Sequence, residues 1–128
     1  MSIQSKELDF LSKKTSTDRY IYTVKKIADF EEGWGLYCNG WALTGADGNE
    51  YFPIWPSKEA AMNCAVEHWS EYKPKSISVD YLMEELLPML TEDNVKIAIF
   101  MLENTPDTAT KKSCEFQIDL SAELEKYE

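Results

Sequence analysis

The sequence predicts an α+β fold: a single mixed, largely antiparallel sheet of five to six strands with flanking helices, in the central order β-β-β-α-β-α-β-β with helices at both ends. Three observations carry this. The stretch from Gly33 to Trp69 holds all four tryptophans and reads as three short β-favouring runs closed by turn residues and followed by a helix. Residues 95–100 are a nearly continuous apolar run, as a strand buried on both faces would be. Helical periodicity appears over residues 20–28 and again over 82–90.

Taken in order, Ile3, Leu8, Phe10 and Leu11 give residues 1–16 one or two loose amphipathic turns, a helix with a frayed start. Thr17 is the expected cap of a clearer helix that turns Tyr20, Ile21, Val24, Ile27 and Ala28 to one face and leaves Arg19, Lys25, Lys26 and Asp29 outside. Gly33 would close that helix in the left-handed conformation. Leu36, Tyr37 and Cys38 then read as a strand, Asn39-Gly40 as a hairpin turn, and Trp41 to Thr44 as its return. Gly45 to Asn49 supplies a second turn before the strand Glu50 to Trp55. Pro53 has no amide to give, so that strand is expected at a sheet edge or at a bulge.

Ser57 is placed to cap a helix starting at Lys58, in which Ala60, Ala61, Cys64, Ala65 and His68 share a face widened by Met62, Val66 and Trp69. Tyr72-Lys73-Pro74 reads as a turn, Ser76 to Val79 as a short strand, and Ser78 or Asp80 as the start of a helix bearing Leu82, Met83, Leu86, Leu87 and Leu90. Pro88 falls inside this pattern and should kink or tighten the helix. Residues 103–113 form a polar run, expected to be a mobile loop. Cys114, Phe116 and Ile118 alternate as a last strand, and Asp119 caps a short acidic helix.

The order WGL, NGWAL, DGNEYFPIWPSKEAA, EHW and KPKSISVDYLMEELLPML resembles an uncharacterised bacterial family catalogued as domain of unknown function twenty-seven fifty. The resemblance runs from about Asp18 to the C-terminus, and its most specific parts are Gly40 to Leu43, Pro53 to Pro56 and Leu86-Leu87-Pro88. The family often has a tryptophan where this chain has Glu85-Leu86, a difference of packing rather than of chemistry. No activity comes with that family. A fold-level likeness to the small bacterial domain of secretion regulation and enhanced serine sensitivity lies in the strand FPIWPSKEAA and the helix, strand and helix after it. Fold alone assigns no function.

The 128 residues suit one domain, long enough to bury about two-thirds of the surface of the unfolded chain. No apolar run could span a bilayer, and the start lacks the basic and apolar regions of a secretory signal. Cys38, Cys64 and Cys114 are widely spaced, with no C-x-x-C pair, which fits reduced thiols in the cytoplasm. Net charge is −10, from 13 basic and 23 acidic residues. Most of it lies from Asp80 to Glu128, where 12 acids face four lysines. Such a surface repels phosphate backbones and anionic membranes, so neither nucleic acid nor membrane is an expected partner, whereas a basic protein is compatible with it.

Chemistry is thinly represented. There is no phosphate loop, serine elbow, H-E-x-x-H or pair of cysteine clusters, so no metal or cofactor is expected. His68 is the only histidine, and with Cys64 four residues earlier it could form a thiol and base pair or half a zinc site, but no second pair completes either. An alanine-rich packing stripe accounts for both residues. The aromatic residues are the better lead. Trp34, Trp55 and Tyr37 beside Pro53 could line a groove for a peptide or small ligand, against the alternative that the rings fill the core. Trp41 and Trp69 are read as core. The functional expectation is a non-catalytic, cytosolic protein- or peptide-interaction module. Its rivals are an immunity or inhibitor protein covering a basic toxin, and a small enzyme using His68 and Cys64.

Overall fold

Thr15 Oγ1 accepts the Asp18 N–H at 3.1 Å and opens helix α1, Ser16–Phe30, in a computed structural model that describes residues 9–46, 48–66, 69–102 and 107–126. The cap is Thr15 rather than Thr17, because Thr15 is the extended residue and Thr17 already lies in the first turn. Glu31, not Gly33, takes the left-handed position at φ 57 and returns its N–H to Ile27 O. Gly33 passes into strand β1, Glu32–Tyr37, where a Cβ would stand 3.2 Å from the Ile54 side chain. Arg19, expected outside, is buried together with Thr23, Val24, Ile27 and Ala28, while Ile21 is exposed. Of the first sixteen residues, 1–8 lie outside the described ones, and residues 9–11 form a helical turn that ends before Thr15.

The remaining elements are β2 (Thr44–Ala46), β3 (Asn49–Ile54), α2 (Lys58–Asn63), β4 (Lys73–Ser78), α3 (residues 79–92), β5 (Lys96–Ile99), β6 (Ala109–Lys112) and α4 (Ser113–Glu125). The predicted element order and α+β class hold, with helices at both ends. The strands form two sheets rather than one. β1 and β4 pair antiparallel, and β2-β3-β5-β6 form a mixed sheet in which only β3 and β5 run parallel. A reciprocal bridge joins them: Trp34 N–H donates to Trp55 O at 2.9 Å and Trp55 N–H to Trp34 O at 2.8 Å.

Pro53 is not at an edge, since β3 lies between β2 and β5. It is tolerated by position. Backbone groups alternate sides along a strand, so Pro53 faces the same side as Trp55, toward the gap between the last β2 pair at Tyr51 and the β1 bridge at Trp55. No ladder bond is lost there. The expected hairpin across Asn39-Gly40 shrinks to one bridge, Tyr37 with Trp41, because β4 and Trp55 already occupy the two edges of β1. Asn39 and Gly40 do both adopt positive φ, 57° and 153°.

Ser57 caps α2 as predicted, accepting the Ala60 N–H at 3.2 Å. The helix stops at Asn63, well before Trp69, and Cys64 closes it with its Sγ on Met101 O. Pro74, read as part of a turn, lies within β4 opposite Leu36. Ser78 caps α3, one of the two predicted starts.

Helix α3 comprises an α-helical start (Val79–Tyr81), a π-helical turn (Leu82–Leu86) and a second α-helical part (Leu87–Glu92). Pro88 thus widens the helix rather than tightening it. Leu87 donates its N–H five residues back, to Leu82 O. Pro88 has no N–H to continue that register to Met83 O, and the Gln117 side-chain amide donates to Met83 O instead, at 3.0 Å.

The C-terminal reading needs the largest correction. Residues 114–118 are helical, not a strand, and Asp119 lies inside α4 rather than at its cap. Phe116 and Leu120, one turn apart, are the buried pair, whereas Cys114 and Ile118 face outward. The alternation of apolar residues was a short-range coincidence within a helical spacing. The last strand is β6, inside the run expected to be a mobile loop; residues 103–106 of that run lie outside the described ones. β5 sits between β3 and β6 as its apolar run predicted. Side chains of α1, α2, α3, α4 and both sheets meet in one hydrophobic core.

Candidate functional site

In mixed α/β sheets a ligand commonly sits beyond the C-terminal ends of parallel strands. Here that position is filled. Trp55, directly after β3, is 0% exposed; its indole N–H donates to Met101 O at 2.9 Å and its ring meets Trp69 edge-on at 6.4 Å. The same Met101 carbonyl accepts the Cys64 thiol at 3.3 Å. Phe100 between them is wholly buried at φ 54, a costly backbone for a bulky residue. Two bonds hold it: Phe100 N–H to Ile54 O, 2.8 Å, and Arg19 Nε to Phe100 O, 3.3 Å. Arg19 also donates to Lys14 O and Asp107 O, so the chain's only arginine binds three carbonyls. Burial lowers its pKa and the Asp107 carboxylate raises it in opposition.

The candidate groove residues therefore separate. Trp55 and Pro53 are buried, Trp34 is half-buried on β1, and Tyr37 is 36% exposed. Cys64 is buried and His68 lies outside the described residues, so the geometry of that pair is not defined. Among the described residues no group of three or more His, Cys, Asp or Glu is placed to hold a metal ion.

What the fold does assemble is a depression of about 540 Å³ beside β1 and β4, lined by Tyr37, Trp41, Tyr81, Lys75 and residues 76–78. Its construction starts at Gly35. A Cβ there would lie 3.0 Å from the Trp41 ring, so glycine lets the indole rest on the β1 backbone where any side chain would push the ring back by a few tenths of an ångström. Trp41 then meets Phe52 edge-on at 5.6 Å below and Tyr37 at 5.1 Å and 81° beside it. The Lys75 ammonium sits 4.0 Å from the Tyr37 ring centroid and 5.5 Å from that of Trp41. Such contacts hold a cation by the negative face of the ring. Tyr81, 44% exposed at the end of the first α-helical part of α3, completes the lining.

The backbone beside this depression is also available. Val79 N–H donates to Glu31 O at 3.0 Å, so residues 79, 77, 75 and 73 turn their backbone groups toward β1. Ser76 and Ser78 must then turn theirs outward, together with the Pro74 carbonyl. Among the described residues no strand pairs with that outer edge. Pro74 faces outward too, so its missing amide costs nothing within the sheet.

A second depression, of about 430 Å³, lies where β5, β6 and the start of α4 meet, and Lys96 and Lys112 face each other there in cross-strand register. Of the first depression, sequence reasoning identified Tyr37 alone. The Tyr37–Trp41 bridge encloses three residues, 38–40, one more than the two-residue turn expected at Asn39-Gly40, so local pattern does not pair these rings; Lys75 and Tyr81 arrive through strand pairing that no local pattern announces.

A family model described as a protein of unknown function (DUF2750) matches residues 20–120. No curated protein matches the chain.

Proposed function

We propose that this chain, which belongs to the DUF2750 family of proteins of unknown function, is a non-catalytic cytosolic interaction module that binds an extended segment of a partner protein along the outer edge of β4. One observation carries the reading. Ser76 and Ser78 direct their backbone groups away from β1, with no strand among the described residues to meet them, immediately beside the depression of Tyr37, Trp41 and Tyr81. In strand addition, main-chain hydrogen bonds supply affinity and a neighbouring pocket reads alternate side chains of the peptide. Both parts are present here. Three cysteines without a disulfide fit the cytosolic assignment. No helix among the described residues is long and apolar enough to cross a membrane.

The test is Ser76→Pro. Its nitrogen points outward, so the substitution leaves the β1–β4 ladder intact and removes a donor that only an added strand would use. Peptides selected from a random library on the wild-type protein should bind this variant at least about tenfold more weakly, with an unchanged melting temperature, since a lost hydrogen bond and a blocked edge together exceed about 1.4 kcal/mol. Equal binding by a folded Ser76→Pro protein would reject the edge.

A further inference from the structure

We infer that the depression formed by Tyr37, Trp41 and Tyr81 is a seat for a cationic side chain, a lysine or arginine of the bound segment, which Lys75 occupies in the free protein. This rests on the reading of β4 as a docking edge and names the chemistry its pocket selects.

Two ring faces at 81° make a corner, and an ammonium already lies in it, 4.0 Å from one centroid and 5.5 Å from the other. The corner is therefore of a size and polarity that suit a cation. Among the described residues Lys75 has no carboxylate partner within ion-pair distance, so the rings are what hold its head group. A lysine tethered at the rim of an exposed strand competes for this corner with one delivered from outside. The volume of about 540 Å³ exceeds what a single lysine head needs.

Charge favours the same occupant. The chain carries −10 overall, and Glu31, Glu32 and Asp80 cluster where β4 ends, with Glu32 directly opposite Ser78. A basic segment lying along β4 would meet the ring corner at Lys75 and these carboxylates at Ser78. An acidic segment would meet neither.

The experiment follows the Trp41 indole N–H by NMR while Nα-acetyl-lysine N-methylamide, its norleucine counterpart and tetramethylammonium are titrated into wild type, Lys75→Ala and the double variant Lys75→Ala/Tyr37→Leu. Lys75→Ala should bind the lysine probe about five- to tenfold more tightly than the norleucine probe and more tightly than wild type does, because the internal competitor is gone. Tyr37→Leu keeps apolar bulk and should erase that preference. Equal affinity for lysine and norleucine in Lys75→Ala, or a preference that survives Tyr37→Leu, would overturn the seat. Tetramethylammonium separates the two readings, since it needs no strand edge. If it shifts Trp41 in Lys75→Ala while library peptides ignore Ser76→Pro, the seat stands and the edge fails. If peptides depend on Ser76 but show no preference for a basic residue, the edge stands and the seat fails.

Discussion

Single side chains explain features that no pattern of apolar residues would suggest. Tyr20 donates its hydroxyl to the Asp119 carboxylate and packs edge-on against Phe116 at 6.4 Å, tying α1 to α4. Burial raises the Tyr20 pKa first, and the Asp119 hydrogen bond and the Asp119 and Glu115 charges raise it further. A tyrosine whose folded pKa exceeds its unfolded value of about 10 contributes stability that is complete below that pH and is lost as pH rises toward the folded value. Tyr20→Phe should therefore cost about 1 kcal/mol near neutrality, and its stability should fall less steeply than wild type above about pH 10. Denaturant midpoints at pH 7 and pH 10.5 check this; parallel losses in both proteins would contradict it. Arg19 teaches a related lesson. A lone arginine on the polar side of a periodic helix reads as exposed, yet it is 1% exposed here because two carbonyls from distant segments, those of Phe100 and Asp107, converge on it with that of nearby Lys14. Long-range acceptors leave no local trace.

At the level of elements, local chemistry was legible at some caps and turns, whereas the caps expected at Thr17, Gly33 and Asp119 fall on other residues. Ser57, Ser78 and Asn39-Gly40 all act where the sequence places them. Elements were misread where periodicity was short. Cys114, Phe116 and Ile118 satisfy a strand template over five residues, but Phe116 and Leu120 satisfy a helical one, and burial follows the helix. The π-helical turn in α3 shows how a proline can be accommodated rather than avoided, with Gln117 of α4 replacing the donor that Pro88 lacks. Gln117→Leu should then destabilise the protein by about 1–2 kcal/mol by leaving the Met83 carbonyl without its donor. In a Pro88→Ala background the restored backbone N–H can take that carbonyl, so the same substitution should cost less than about 0.5 kcal/mol. Equal costs in the two backgrounds, read from urea midpoints, would show that Gln117 acts through packing instead.

For the molecule as a whole, the two-sheet arrangement decides what is exposed. The Trp34–Trp55 bridge locks β1 against the mixed sheet on one side, and Trp55 fills the end of the parallel pair where a ligand would otherwise enter. That leaves β4 as the strand whose backbone looks outward beside an aromatic depression. The sequence pointed to aromatic recognition near Tyr37 but could not say which rings the core would claim, because burial depends on strand pairing between segments some forty residues apart. Exposure of the rings was settled by register; exposure of the edge was settled by topology. The central claim is that a partner adds a strand to β4, and hydrogen exchange reads it directly. With a library-selected peptide bound, the Ser76 and Ser78 amides should exchange at least about tenfold more slowly than in the free protein, while the inward-facing Lys75 and Ile77 amides change little. Protection elsewhere in the sheets, with Ser76 and Ser78 exchanging as in the free protein, would contradict the account.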